Sequence, residues 1–268
     1  MLVWGSLSLG TSDAPILPNA SCTLSLYGER DDHTVVMVEG LFLGNKVVAV
    51  LGNLTAAGAP LGAPTHAKLA ATAAPGDALI AVRGDVSAWP AGGIVCVGPT
   101  EYPQPPSSTE AETLALAQPP SYDAQSDTTT LRLAAPLAHR HFAGRVLYPS
   151  DGAHVRTLEL AATVALVGGS SNVRIESGGG EGGVAGAGGW GAHGGGVTIG
   201  GSLDGQWVGV ANLSAVEFVR MGKHEHELPA LRFNYLGASR GAAEQRGRGS
   251  SIERCVFSRS QAGGVQAD

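Results

Sequence analysis

The chain has 268 residues, enough for one large or two modest domains, and its 40 glycines with only 15% charged and 5% aromatic residues describe a turn-rich β protein. Hydrophobic residues make up 43% of it, enough for a core, which excludes global disorder. A net charge of −6 and a pI near 5.7 exclude nucleic acid as the main partner, because a polyphosphate ligand needs a basic stripe and the 17 lysines and arginines are scattered.

In chain order, residues 2 to 53 read as short strands, clearest at Val3 to Leu9, Cys22 to Tyr27 and Lys46 to Leu51, broken by Gly10, Pro15, Pro18, Gly28 and Gly52. Leu69 to Ala74 is Ala-rich and reads as a helical turn that Pro75-Gly76 ends at once. Short strands follow at Ala78 to Val82, Trp89 to Gly93, Ile94 to Val97, Thr113 to Leu116 and Thr129 to Leu133, with loops over Pro103 to Ser108 and Gln118 to Ser126. Their spacing predicts a small antiparallel β-barrel.

Beyond Pro149 strands resume at Leu158 to Leu160, Thr163 to Val167, Asn172 to Glu176, Val197 to Ile199 and Val208 to Val210. Gly178 to Gly196 is dominated by glycine in nearly every register, with no helix after it, so it reads as a flexible low-complexity insert and not as a dinucleotide fingerprint. Val216 to Gly222 and Ser251 to Ser258 are self-similar apolar-alternating runs, with Leu231 to Tyr235 between them. Stacked coils of this kind predict an all-β fold, a parallel β-helix (solenoid) carrying the small barrel. Val216, Phe218, Leu231, Phe233, Val256 and Val265 are its expected core.

No run reaches the ~18 apolar residues that a membrane-crossing helix needs. The start, Met1-Leu2-Val3-Trp4-Gly5, lacks a basic leader region and reads as mid-strand, and the chain stops just after a strand. A piece of a longer protein is therefore expected, with any membrane contact made only through segments outside this sequence. Cys22, Cys96 and Cys255 share no motif spacing and read as buried apolar residues, with one disulfide plus a leftover as the alternative. Sequons at Asn19, Asn53 and Asn212 are the glycosylation candidates.

Titratable residues gather in few places. His224 and His226 would share one side of an extended segment, as zinc ligation requires, but no third ligand is evident, and the plain reading is a surface loop between coils. His139-Arg140-His141 reads as structural. Glu29, Asp31 and Asp32 form an acidic knot that would suit a calcium or sugar-hydroxyl site, or be solvated turn formers. No Gly-x-Ser-x-Gly elbow and no cysteine nucleophile signature occurs. No cofactor is expected.

Several of these segments together resemble a known family. Trp4-Gly5-Ser6-Leu7-Ser8-Leu9-Gly10-Thr11, Pro15 and Cys22 to Gly28 resemble the end of the G-eight domain, and Lys46 to Gly52 resembles the strand that follows it. Leu69 to Ala73, Trp89 to Val97, Thr100-Glu101-Tyr102, Pro136-Leu137 to His141, and Val216 to Gly222 continue the likeness in order. The family holds fibrocystin, the fibrocystin-like receptors and the hyaluronan-binding or hyaluronan-degrading surface proteins, and the fit is better to the fibrocystin-like branch. It implies a right-handed parallel β-helix with an inserted small barrel: residues 1–55 as the end of a G-eight domain, 65–148 as the inserted barrel, and 150–268 as the first coils of the β-helix, interrupted at 178–196.

The resemblance also implies an extracellular or cell-surface glycoprotein, single-pass when complete, whose partner is an extracellular polysaccharide or a cell-surface protein. The degrading members carry a "P-I-H-F-H-M-x-G" strand; anchored on Phe233 and Gly237, Arg232 and Asn234 replace both histidines. A recognition or scaffold module without catalysis is therefore the leading expectation, a hyaluronidase-like enzyme the alternative. Arg232, Asn234, Asp31 and Asp32 are the candidate ligand-binding residues.

Overall fold

The computed structural model describes residues 1–28, 36–38, 41–43, 45–100, 110–150, 154–178, 194–201, 208–223, 228–234, 249–260 and 264–267. The chain opens with β1 (Leu2–Val3), β2 (Ser6–Leu9), β3 (Cys22–Leu26), β4 (Val36–Val38), β5 (Leu41–Leu43), β6 (Val47–Val50) and β7 (Asn53–Ala57). Next come β8 (His66–Lys68), β9 (Leu79–Arg83), β10 (Ile94–Val97), β11 (Glu112–Ala115), β12 (Ser121–Asp123), β13 (Thr128–Arg132), β14 (Ala143–Ser150), β15 (His154–Ala161) and β16 (Thr163–Gly168). Last are β17 (Val173–Ser177), β18 (Gly196–Gly200), β19 (Val210–Ser214), β20 (Glu217–Val219), β21 (Leu231–Asn234), β22 (Ser251–Glu253), β23 (Val256–Ser258) and β24 (Val265–Ala267). The fold is all-β, with no helix among the described residues.

Two compact units arise, Met1–Pro60 with Ser171–Asp268, and Leu61–Ser170. The first holds three wholly parallel sheets, ordered β1-β6-β18-β21-β24, β2-β7-β19-β22 and β3-β17-β20-β23. Each pass of the chain adds one strand to each sheet in turn. Because side chains alternate along a strand, every second residue points at the enclosed core. Registers align Leu24, Ile175, Phe218 and Phe257 on the third sheet, Val50, Ile199 and Phe233 on the first, and Leu7, Leu54 and Ala211 on the second. All of them belong to, or pack against, one core cluster. Phe218 and Phe257 stack with centroids 4.7 Å apart and planes 8° from parallel.

The repeat extends to the backbone. Ala215 and Arg254 (φ 50° and 52°), then Arg220 and Arg259 (φ 56° and 52°), take left-handed corners in corresponding places on successive passes. Of the expected core, Val216, Phe218, Leu231 and Phe233 are buried, whereas Val265 is 46% exposed and Val256 only half-buried. Val256 pairs in register with Glu217, so it lies on the outward phase, and Phe257 is the inward residue. Val265 sits on β24, which among the described residues has a neighbouring strand on one side only.

In the second unit, antiparallel sheets β11-β10-β16-β8 and β12-β13-β9 enclose Leu69, Val82, Trp89, Val95, Leu131 and Val164. Trp89 is buried, its indole N–H donating to Pro64 O at 2.7 Å. The expected closed barrel is not formed. Among the described residues the two sheets meet only at the isolated bridges Leu69↔Val82 and Leu116↔Leu133, so no continuous ladder runs round the core. Leu69 to Ala74 is not helical: Leu69 and Ala73 bridge Val82 and His141. Residues 154–168, read from the sequence as resuming the coils, pair with β14, β10 and β8 inside this unit.

Candidate functional site

β21 carries the pair of residues that the sequence singles out. Leu231 and Phe233 face the core, so alternation turns Arg232 and Asn234 outward together. Registers place Arg232 in a row with Leu2, Ala49, Thr198 and Gln266 across the first sheet, and Asn234 beside Gly200. Arg232 is half-buried and Asn234 buried, its backbone carbonyl accepting from Gly201 N at 3.1 Å. An arginine keeps its charge at every physiological pH and an asparagine does not titrate, so this strand offers hydrogen bonds and one fixed positive charge, and no proton shuttle.

Asp31, Asp32, His224 and His226 lie outside the described residues. Among the described residues no group of three His, Cys, Asp or Glu could hold a metal ion. Asn19 is exposed in a turn that Asn172 fastens, donating from Nδ2 to Ile16, Leu17 and Ala20 carbonyls at 3.1, 2.7 and 2.8 Å. Asn53 is half-buried and donates to Ser6 Oγ at 3.4 Å, while Asn212 is exposed and accepts from Ser251 Oγ at 3.2 Å.

Cys22, Cys96 and Cys255 are free thiols. Cys22 starts β3 and Cys255 precedes β23, at opposite edges of one sheet with β17 and β20 between. Three strand spacings of ~4.8 Å put them about 14 Å apart, twice the reach of a disulfide. That pairing is excluded. Burial pushes the Cys255 thiol up, which makes it a poor nucleophile.

A charge network on the third sheet goes beyond the candidates named from the sequence. Glu217 is fully buried, taking Arg174 Nη2 at 3.0 Å and the Ser171 amide at 3.2 Å. Glu176 accepts from Ser25 Oγ at 3.0 Å and lies 3.7 Å from Arg220 and 4.0 Å from Arg174. The signal available beforehand was opposite charges on the outward phases of Arg174-Ile175-Glu176 and Glu217-Phe218-Val219, two runs that stack, with Arg220 at the corner that follows. Close by, Lys223 is 3% exposed and donates from Nζ to Asn45 O at 2.6 Å. Burial, then the charge of Lys46, lower its pKa to about 8; burial, then Arg220, lower that of Lys46.

In the second unit His141 is fully buried, Nδ1 at 3.0 Å from Gly98 O and Nε2 at 2.9 Å from Glu112 Oε1. Glu112 also accepts the amides of Ala138 (2.7 Å) and His139 (2.8 Å). A ring so enclosed ties strand ends together and has no free nitrogen to offer a substrate. Compared with known proteins, the chain matches no family model and no curated sequence.

Proposed function

We propose that this chain is a recognition or scaffold module, without catalysis of its own, from an extracellular surface protein of the fibrocystin-like kind. Its three parallel sheets are, in this reading, coils of a right-handed parallel β-helix. The partner is an extracellular polysaccharide or a cell-surface protein. One observation carries the reading: where the resemblance puts the histidine pair of the degrading relatives, Arg232 and Asn234 stand side by side, facing away from the core. Neither exchanges a proton near neutrality. A β-helix hosts many functions, so the sheets support the architecture and the strand supports the chemistry.

The test is an assay of the complete protein on hyaluronan at neutral pH, run beside Arg232→His with Asn234→His. The unmodified protein is expected to leave chain length unchanged. Robust shortening of the polymer by the unmodified protein overturns the non-enzyme reading in favour of a hyaluronidase-like enzyme. The complete transcript tests the rest: a leader, further coils and a terminal span are expected, and a complete protein lacking all three removes the surface assignment.

A further inference from the structure

β14 and β15 form a two-stranded sheet that no other strand joins among the described residues. Two strands alone in water are marginally stable, so what lies along their edges and faces matters. Ala162 N donates to Phe142 O at 2.9 Å, and this pair continues the ladder in which Ala143 opposes Ala161. Bonded and non-bonded pairs alternate along an antiparallel ladder. The even-numbered residues therefore bond inside the hairpin, and the backbone groups of the odd-numbered ones point out from its two long edges. On β14 that edge is partly taken and partly blunted. His141 exchanges both bonds with Ala73 at 2.9 Å, Ala143 N donates to Thr72 Oγ1 at 3.0 Å, and Pro149 has no N–H to offer. On β15 nothing comparable protects Val155, Thr157 and Glu159 among the described residues. The faces differ as well. Val146 opposes Leu158, and Leu160 follows on the same face; these three are 36%, 42% and 40% exposed. Glu159 lies on the other face, paired with Arg83.

We propose that the open β15 edge pairs with the β15 edge of a second copy of this chain, antiparallel about a two-fold axis at Leu158, joining two hairpins into one four-stranded sheet. A two-fold axis normal to the sheet keeps like faces together, so only residues of the same parity meet. With the axis at Leu158, the middle of the strand, Thr157 of each copy bonds to Glu159 of the other and uses the open backbone groups. Leu158 then meets its own counterpart, and an apolar row of Val146, Leu158, Leu158 and Val146 crosses the joined sheet. Each Glu159 stands opposite a threonine, so no carboxylate faces its like. An axis at Glu159 would oppose two carboxylates, and an axis at Thr157 would part the two leucines. One strand edge buries less than the roughly 800 Å² per partner of a standard interface, so the dimer is a reversible one. This association goes beyond the recognition reading and does not rest on it.

Sedimentation equilibrium of the full chain over a concentration series reads the association, and a reversible monomer–dimer equilibrium is expected. Leu158→Lys sets two ammonium groups opposite each other and should weaken the dimer by about tenfold or more. Thr157→Pro removes one outward N–H, leaves the bonds inside the hairpin in place and should weaken it too. Leu158 is an exposed position, so loss of folding in the proline variant does not shelter the proposal. Leu147→Lys, on the outer strand, is the control and should leave the association unchanged. Oxidation reads the register without any loss of binding. Residues opposed in a non-bonded pair have Cα atoms ~4.5 Å apart, within disulfide reach. Leu158→Cys should therefore give a covalent dimer beyond the unmodified chain, and Leu160→Cys, displaced from the axis, should not. A chain that stays monomeric at every soluble concentration overturns the proposal and leaves the edge to a strand of another protein. A dimer that neither edge variant weakens, or that Leu147→Lys weakens equally, overturns it as well, because another surface would then hold the copies together. Equal cross-linking through Leu158→Cys and Leu160→Cys removes the axis at Leu158.

Discussion

Glu112 accepts from His141 Nε2 and from two backbone amides, so its charge is held where the strand ends of the second unit meet. Burial alone would raise its pKa, but these bonds outweigh burial and hold it below the ordinary 4.5. A carboxylate whose folded pKa is depressed gives stability that is present above the unfolded value and lost as pH falls through the folded one. Glu112→Gln is expected to cost about 1–3 kcal/mol at neutral pH. It should also flatten the acid limb of stability below about pH 4.5, read by denaturant unfolding along a pH series. Lys223 gives the same slope from a different cause, because burial penalises its charged form. With its folded pKa near 8 against 10.5 unfolded, the folded state holds fewer protons across that window, so stability rises with pH between the two values. Among the described residues, Asn45 O and the Lys46 ammonium face it. Lys223→Met should remove the alkaline rise, and a rise of equal size in that variant would assign it to another group.

At the scale of strands, Phe218 is fully buried and stacked on Phe257, so Phe218→Ala is expected to cost about 3–5 kcal/mol. The pairing was legible because the coil repeats its own spacing: the two self-similar runs come to lie as neighbours in one sheet, with the two rings in register. Phase was harder to read. Val256 and Phe257 are both apolar, and only the register with Glu217 shows which turns inward. Barrel closure is illegible for a related reason, since strand spacing cannot reveal that two sheets meet at single bridges. Arg232 and Asn234 could be placed on one face by alternation alone, whereas the Lys223–Asn45 bond joins passes far apart in sequence. The glycine tract divides in the same way. Gly178 and Gly194 to Gly196 take part in the rungs, and residues 179–193 lie outside the described residues. Removing only 179–193 with a short bridging turn should leave the midpoint nearly unchanged, because closure entropy varies with the logarithm of loop length. Gly194→Ala should destabilise strongly, since its Cβ would overlap backbone. Equal effects from the two changes would mean the rung is not packed as described.

At the scale of the molecule, each unit has a hydrophobic core of its own, one centred on Phe218, Leu54 and Ile199, the other on Trp89, Leu131 and Leu166. The second unit is inserted between β7 and β17, and the chain on either side of the insertion is joined within the first unit. Ala59 N donates to Asn172 Oδ1 at 2.8 Å, and Gly58 packs against Ser171. Neither end of the insertion therefore has to be held by the inserted residues. Replacing residues 61–170 by a short Gly-Ser linker should preserve the three parallel sheets, because their ladders use no strand between β7 and β17. The excised stretch 61–170, with its own core, should unfold cooperatively by itself. Circular dichroism with denaturant unfolding of both pieces reads the outcome. A linker variant that loses its cooperative transition while the excised stretch keeps one would show that the coils need the insertion to fold. Loss of cooperativity in the excised stretch alone would show that Trp89 and its neighbours need more than the core described.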